Sequence, residues 1–169
     1  MKTTSKIALF ILLLLGAGIS SCIKQESYPV EPVIKYGSFG VLRDVNDYDS
    51  LGRLTVTYTD GDGDIGLYDS DTVEPYKYNF FLKFFYMKNN QLVELIPADT
   101  ALGFNARIPI LTPSGRNKNI KGEISIDVDL FYARPALGSD TVAFEVYIKD
   151  RALHSSNVVQ SPLYIIRLP

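Results

Sequence analysis

The stretch Arg53-Leu-Thr-Val-Thr-Tyr-Thr59, running straight on into Asp60-Gly-Asp-Gly-Asp-Ile-Gly-Leu67, decides how the chain is read. In its first half Leu54, Val56 and Tyr58 alternate with Arg53, Thr55, Thr57 and Thr59. Successive side chains of a strand point to opposite faces, so the alternation predicts a half-buried strand with one apolar face. In its second half Asp60, Asp62 and Asp64 stand at every second position, with Gly61 and Gly63 between them. Such a loop can fold its oxygens round a hard cation, since calcium takes about six to eight oxygen ligands and glycine puts no side chain in their way.

The same period recurs downstream. Gly122–Leu130 places Ile124, Ile126, Val128 and Leu130 inward and Glu123, Ser125, Asp127 and Asp129 outward, and Thr141–Lys149 repeats the pattern with Val142, Phe144, Val146 and Ile148. Tyr78–Met87 is apolar on both faces, with Phe80, Leu82 and Phe84 on one side and Phe81, Phe85 and Met87 on the other. That composition predicts a central strand covered on both sides, the alternative being a face of aromatics presented to a partner. Asn89-Asn90 marks a turn, after which Gln91–Ile96 pairs back as a hairpin. A short edge strand is expected at Ala106–Leu111, where Pro109 excludes a central position, and a last strand over Val158–Leu168 is interrupted by Pro162. No stretch after the N-terminal region has a helical period. Six or seven short strands in roughly 130 residues, bounded by turn residues, predict an all-β, antiparallel β-sandwich.

The N-terminus has a different character. Lys2 and Lys6 precede the apolar run Ile7–Leu15, and small residues follow as far as Cys22. This order is that of a secretory signal peptide, and the run is short for a membrane span. Ile19-Ser20-Ser21-Cys22 resembles a bacterial lipobox, which implies cleavage before Cys22 and acylation of that residue, palmitate included, as the new N-terminus. Each buried methylene of such chains contributes about 0.8 kcal/mol, so several chains make a stable membrane anchor. Cys22 is the only cysteine, which leaves no partner for an intramolecular disulfide. The expected organisation is a removed leader at 1–21, a lipidated tether at 22–36 with Pro29 and Pro32 favouring extended backbone, and a folded domain at 37–169. Removal of Lys2 and Lys6 leaves 15 basic against 19 acidic side chains, a net charge of −4. No basic patch points to nucleic acid.

The acidic loop has the spacing of the first half of an EF-hand, but Ile65 stands where that loop needs glycine, Asp71 stands where it needs glutamate, and no helices flank it. What remains is a calcium-binding loop between strands. Asp150, at the end of the strand Thr141–Lys149, is a candidate distant ligand, because loops gather at the ends of a sandwich. Magnesium keeps its waters and zinc lacks His or Cys here. The competing reading is an empty turn whose aspartates cap their own amides.

Taken together, Tyr58–Leu67, Val146-Tyr-Ile-Lys-Asp-Arg151 and Ser156-Asn-Val-Val159 resemble a group of uncharacterised Bacteroidetes lipoproteins with an immunoglobulin-like domain, whose recurrent features are a TDGDGDIG loop and a second loop near the C-terminus. Lys24 and Glu26 loosely resemble the export signal of surface lipoproteins in those bacteria. The resemblance implies an immunoglobulin-like β-sandwich in the outer membrane, and no activity. The chain departs from it at Leu153-His154, where a Gly-Asn type of turn is usual.

Enzymatic designs find little material. His154 is the only histidine, and Glu123, Asp127 and Glu145 fall on outward faces. The expectation is a non-enzymatic, lipid-anchored envelope module for binding or assembly, with a protein partner. The alternative is a glycan-binding or glycan-processing accessory, for which Tyr68, Tyr76 and Tyr78 beside the acidic loop are the candidate contacts, in a chain with eleven tyrosines and no tryptophan.

Overall fold

The alternating segments form strands that pair into two antiparallel sheets with one hydrophobic core between them. The computed structural model describes residues 26–97, 103–111, 119–130 and 139–167. Cys22 and the leader before it lie outside the described residues. The strands are β1 (Val33–Arg43), β2 (Asp49–Asp60), β3 (Phe80–Lys88), β4 (Gln91–Glu94), β5 (Ile120–Asp129), β6 (Thr141–Ile148), β7 (Val159–Gln160) and β8 (Tyr164–Ile165). One sheet has the order β1-β2-β5 and the other β4-β3-β6-β7, with β8 also pairing β6.

The core follows from the period of two. Leu54, Val56 and Tyr58 of β2 and Ile124 and Val128 of β5 are buried from one sheet, and Phe80, Leu82 and Phe84 of β3 and Val142, Phe144, Val146 and Ile148 of β6 from the other. Phe144 is the joint, with the Phe39 ring 4.8 Å away and Phe84 meeting it edge-on at 5.1 Å. The Asn89-Asn90 turn uses two left-handed residues, φ 49° and 61°, as a tight hairpin requires.

Three expectations are corrected. The domain starts ahead of Gly37, because β1 begins at Val33 and buries Ile34 completely. Its period is hidden by Gly37 and Gly40 and by bulges at Tyr36/Ser38 and Leu42/Arg43, which shift the register. Residues 106–111 form isolated bridges, Phe80 to Ala106 and Leu67 to Pro109, in place of a strand. They are held by buried Asn79, whose side chain accepts the Ile108 amide at 2.6 Å and donates to the Ile108 carbonyl at 3.2 Å. Phe81, Phe85 and Met87 are half-buried, and Phe81 is flanked within its own sheet by Tyr147, stacked at 4.7 Å, and by the Lys149 ammonium at 5.4 Å. As expected, the C-terminal strand is interrupted at Pro162, into β7 and β8. Ser156 and Ser161 finish the β6 edge, each donating its amide to a β6 carbonyl and accepting a β6 amide on its hydroxyl, at Ile148 and Phe144 respectively.

The contrast between the two faces of β3 has a measurable consequence. Phe84→Ala, emptying a fully buried site, is expected to lower stability by about 3–5 kcal/mol in urea denaturation, whereas Phe81→Ala on the outer face loses about 1 kcal/mol or less. Equal losses at the two sites would contradict the assigned faces.

Candidate metal centre

The inward positions of β2 run Leu54, Val56, Tyr58 and then Asp60, so the alternation that builds the core carries a carboxylate into its end. Asp60 is completely buried. Beyond it the chain turns back through Gly63, at φ 67°, and Gly66, at φ 107°, left-handed conformations open to glycine. Gly66 has a second reason to lack a side chain, since a Cβ there would stand 2.3 Å from the Pro109 carbonyl oxygen.

This turn brings one carboxylate oxygen from each of Asp60, Asp62 and Asp64 within 4.8 Å of the others, so the three could hold a metal ion. Asp60 Oδ2 accepts the Asp64 amide at 3.0 Å, and Asp64 Oδ2 accepts the Ala152 amide at 3.2 Å. The second oxygens have no such use: Oδ1 of Asp60, Asp62 and Asp64 is in each case buried and without a hydrogen-bond partner. Buried polar atoms are nearly always paired, because an unsatisfied one loses its hydration for nothing. Three in one loop, all acceptors, match the needs of a cation. Burial, then the charges of Asp62 and Asp64, push the Asp60 carboxyl up to about 6. Asp64 is raised by burial and by Asp150 and Asp62, against the opposing Arg151 guanidinium.

Asp150 does arrive beside the loop, bridging Ile65 through the backbone. Its own carboxylate is committed elsewhere. His154 donates its amide to Asp150 Oδ1 at 2.8 Å, and its Nδ1 lies 2.9 Å from Oδ2. Asp150 is therefore an electrostatic neighbour of the three-aspartate cluster, and the hydrogen bond and charge of Asp150 raise the pKa of His154. The turn after Asp150 places Leu153 in a left-handed conformation, φ 68°. The adjoining Arg151 closes the flank, donating its amide to the Asp64 carbonyl and its Nη1 to the Gly66 carbonyl at 2.9 Å.

The three tyrosines have separate settings. Tyr68 is exposed with the Arg151 guanidinium 5.4 Å from its ring, Tyr78 has the Lys77 ammonium at 5.2 Å, and Tyr76 is half-buried. The residue that organises them is Arg107. Its guanidinium donates to the carbonyls of Tyr68, Asp71, Tyr76 and Lys77, and so ties down the loop after the acidic turn. Nothing in the pattern around Arg107 singles it out. The burial of Asp60, by contrast, follows from continuing the Leu54–Tyr58 alternation by one step. Comparison of the chain with protein families, with curated proteins and with solved structures found no match.

Raising the Asp60 pKa above the unfolded value, near 4, means that the metal-free native state holds the proton more tightly than the unfolded chain does. Stability from this source is full below that pH and is lost as pH rises through about 6. In chelator, Asp60→Asn is therefore expected to exceed wild type by on the order of 2–3 kcal/mol at pH 7, with the difference closing towards pH 4. Chemical denaturation across that range reads it, and a gap that does not change with pH would count against the assignment.

Proposed function

We propose that the chain is a lipid-anchored cell-envelope protein of the outer membrane whose domain is a non-enzymatic binding or assembly module stabilised by calcium in the Asp60–Asp64 loop. The observation that carries the metal reading is the set of three buried, unpartnered carboxylate oxygens. Calcium suits an all-carboxylate cluster of this kind, since it takes about six to eight oxygen ligands in flexible geometry whereas magnesium keeps several of its waters. Because these oxygens are closed off from solvent, the ion is structural and does not meet a ligand from outside.

The anchor rests on the leader and on Ile19-Ser20-Ser21-Cys22. The immunoglobulin-like assignment, and with it membership of the resembled lipoprotein group, is supported by strand order: the first, second and fifth strands form one sheet, the third and sixth pair at the centre of the other, and the last strands return to the sixth. A non-enzymatic role accords with the fate of the reactive side chains. His154 is engaged by Asp150, while Asp127 and Glu145 pair with Arg53 and Lys83 on the outer faces.

A glycan-binding accessory role is favoured by one feature, the stacked Phe81–Tyr147 pair, which with Lys83 and Glu94 lines a groove of about 280 Å³ on the outer face of the larger sheet. Retention on polysaccharide that disappears in Phe81→Ala would select it; retention unaffected by that change would dismiss it.

Calcium at millimolar concentration is expected to raise the melting temperature relative to chelator, since a ligand of the native state stabilises by mass action, and Asp62→Asn is expected to remove the rise. No shift in wild type would end the calcium reading. For the anchor, Cys22→Ser is expected to abolish palmitate labelling and sedimentation with membranes; labelling that persists would exclude the lipobox.

A further inference from the structure

The acidic loop also meets the chain ahead of β1, and it does so through a glycine. Gly61, between Asp60 and Asp62, donates its amide to the Pro29 carbonyl at 2.7 Å. The backbones are so close that a Cβ on Gly61 would stand 2.3 Å from the Tyr28 carbonyl oxygen and 2.6 Å from that of Pro29. The other ties of this segment are an exposed ion pair and two hydrogen bonds to half-buried Asn119. Lys121 and Glu26 form an ion pair at 2.7 Å with both side chains more than half exposed. Asn119 donates to the Glu26 carbonyl at 3.0 Å and accepts the Tyr28 amide at 3.3 Å. Exposed pairs of this kind hold a segment weakly. The next firm points are Pro32, which is buried, Val33, which pairs with Thr59, and Ile34, whose amide and carbonyl are both taken by the Asn157 side chain at 2.9 Å.

We infer that a cation in the Asp60–Asp64 loop clasps the segment Glu26–Pro29 onto the sandwich, and that the empty loop releases it. This inference rests on the calcium reading above and adds to it a task for the ion. Without a cation, three carboxylates face one another across at most 4.8 Å in a turn whose alternate residues are glycines. Repulsion then widens the turn where the backbone resists least, at Gly61 and Gly63. Widening withdraws the Gly61 amide from Pro29. A bound cation reverses the repulsion and fixes that amide in place.

The consequence is a change in reach. Residues 26–31, ahead of the buried Pro32, extend once free at about 3 Å per residue, so the domain gains roughly 15–20 Å of play relative to whatever holds its N-terminus. Tyr28 and Pro29 also wall a groove of about 650 Å³ against Lys35, Thr57 and Lys121, so release removes that wall as well.

Hydrogen exchange with mass spectrometry on the full chain tests the clasp, with calcium as the probe and peptides of β6 as the internal reference. Calcium is expected to slow exchange across residues 26–34 by about tenfold or more relative to chelator, as local opening is suppressed. Asn119→Ala with Lys121→Ala, which removes the other ties and leaves the acidic loop intact, is expected to keep this region slow in calcium and make it faster still in chelator, with the calcium-dependent rise in melting temperature retained. If calcium raises the melting temperature of wild type but leaves 26–34 unchanged, the clasp is wrong and the loaded loop stands. If calcium does neither, both fall. Fast exchange at 26–34 in the Asn119→Ala, Lys121→Ala variant with calcium would likewise overturn the clasp.

Discussion

The structure hinges on the confinement of three negative charges at the end of an apolar strand. β2 is the central strand of its sheet and contributes Leu54, Val56 and Tyr58 to the core, and the same period delivers Asp60 to the next inward position. A carboxylate there loses its water, and Asp62 and Asp64 add their charges across less than 5 Å. Only a positive charge within the loop, or protons on the carboxylates, relieves that arrangement at little expense in free energy. The neighbouring Arg151 relieves it in part from one flank, acting chiefly on Asp64.

The loop is also the point where distant parts of the chain converge. Gly61 meets Pro29, Gly66 packs against Pro109, Ile65 bridges Asp150, and the Asp64 carbonyl and carboxylate receive the amides of Arg151 and Ala152. Nearly all of these contacts are made by backbone, which explains the glycines. Side chains at 61 or 66 would collide with carbonyl groups of the neighbouring segments. A cation held at this node would act on the N-terminal segment, the bridge around residue 109 and the turn at Leu153 together.

Much of the sandwich is legible in the sequence wherever burial is one-sided. β2 and β5 alternate because one face meets the core and the other is more open, β6 does so apart from buried Ala143, and the Asn89-Asn90 hairpin is announced by residues that tolerate a left-handed backbone. β1 is not legible, since its bulges break the period and Ile34 is its one fully buried side chain. The edge formed by Ser156 and Ser161 is hidden for another reason: hydroxyls stand in for ladder partners that no periodicity can signal. At the candidate centre, the three aspartates are visible from spacing alone. The engagement of Asp150 by His154, the clamp made by Arg107 and the approach of Pro29 to Gly61 depend on contacts between segments far apart in sequence, or on side-chain geometry.

The account stands or falls on whether the confined charges hold calcium. Crystals of the protein grown in calcium, measured for anomalous scattering at long wavelength, address this directly. The expected result is one strong peak about 2.3–2.6 Å from carboxylate oxygens of Asp60, Asp62 and Asp64 together. A loop with no peak, or with the three carboxylates turned out to solvent and the ion elsewhere, would contradict it.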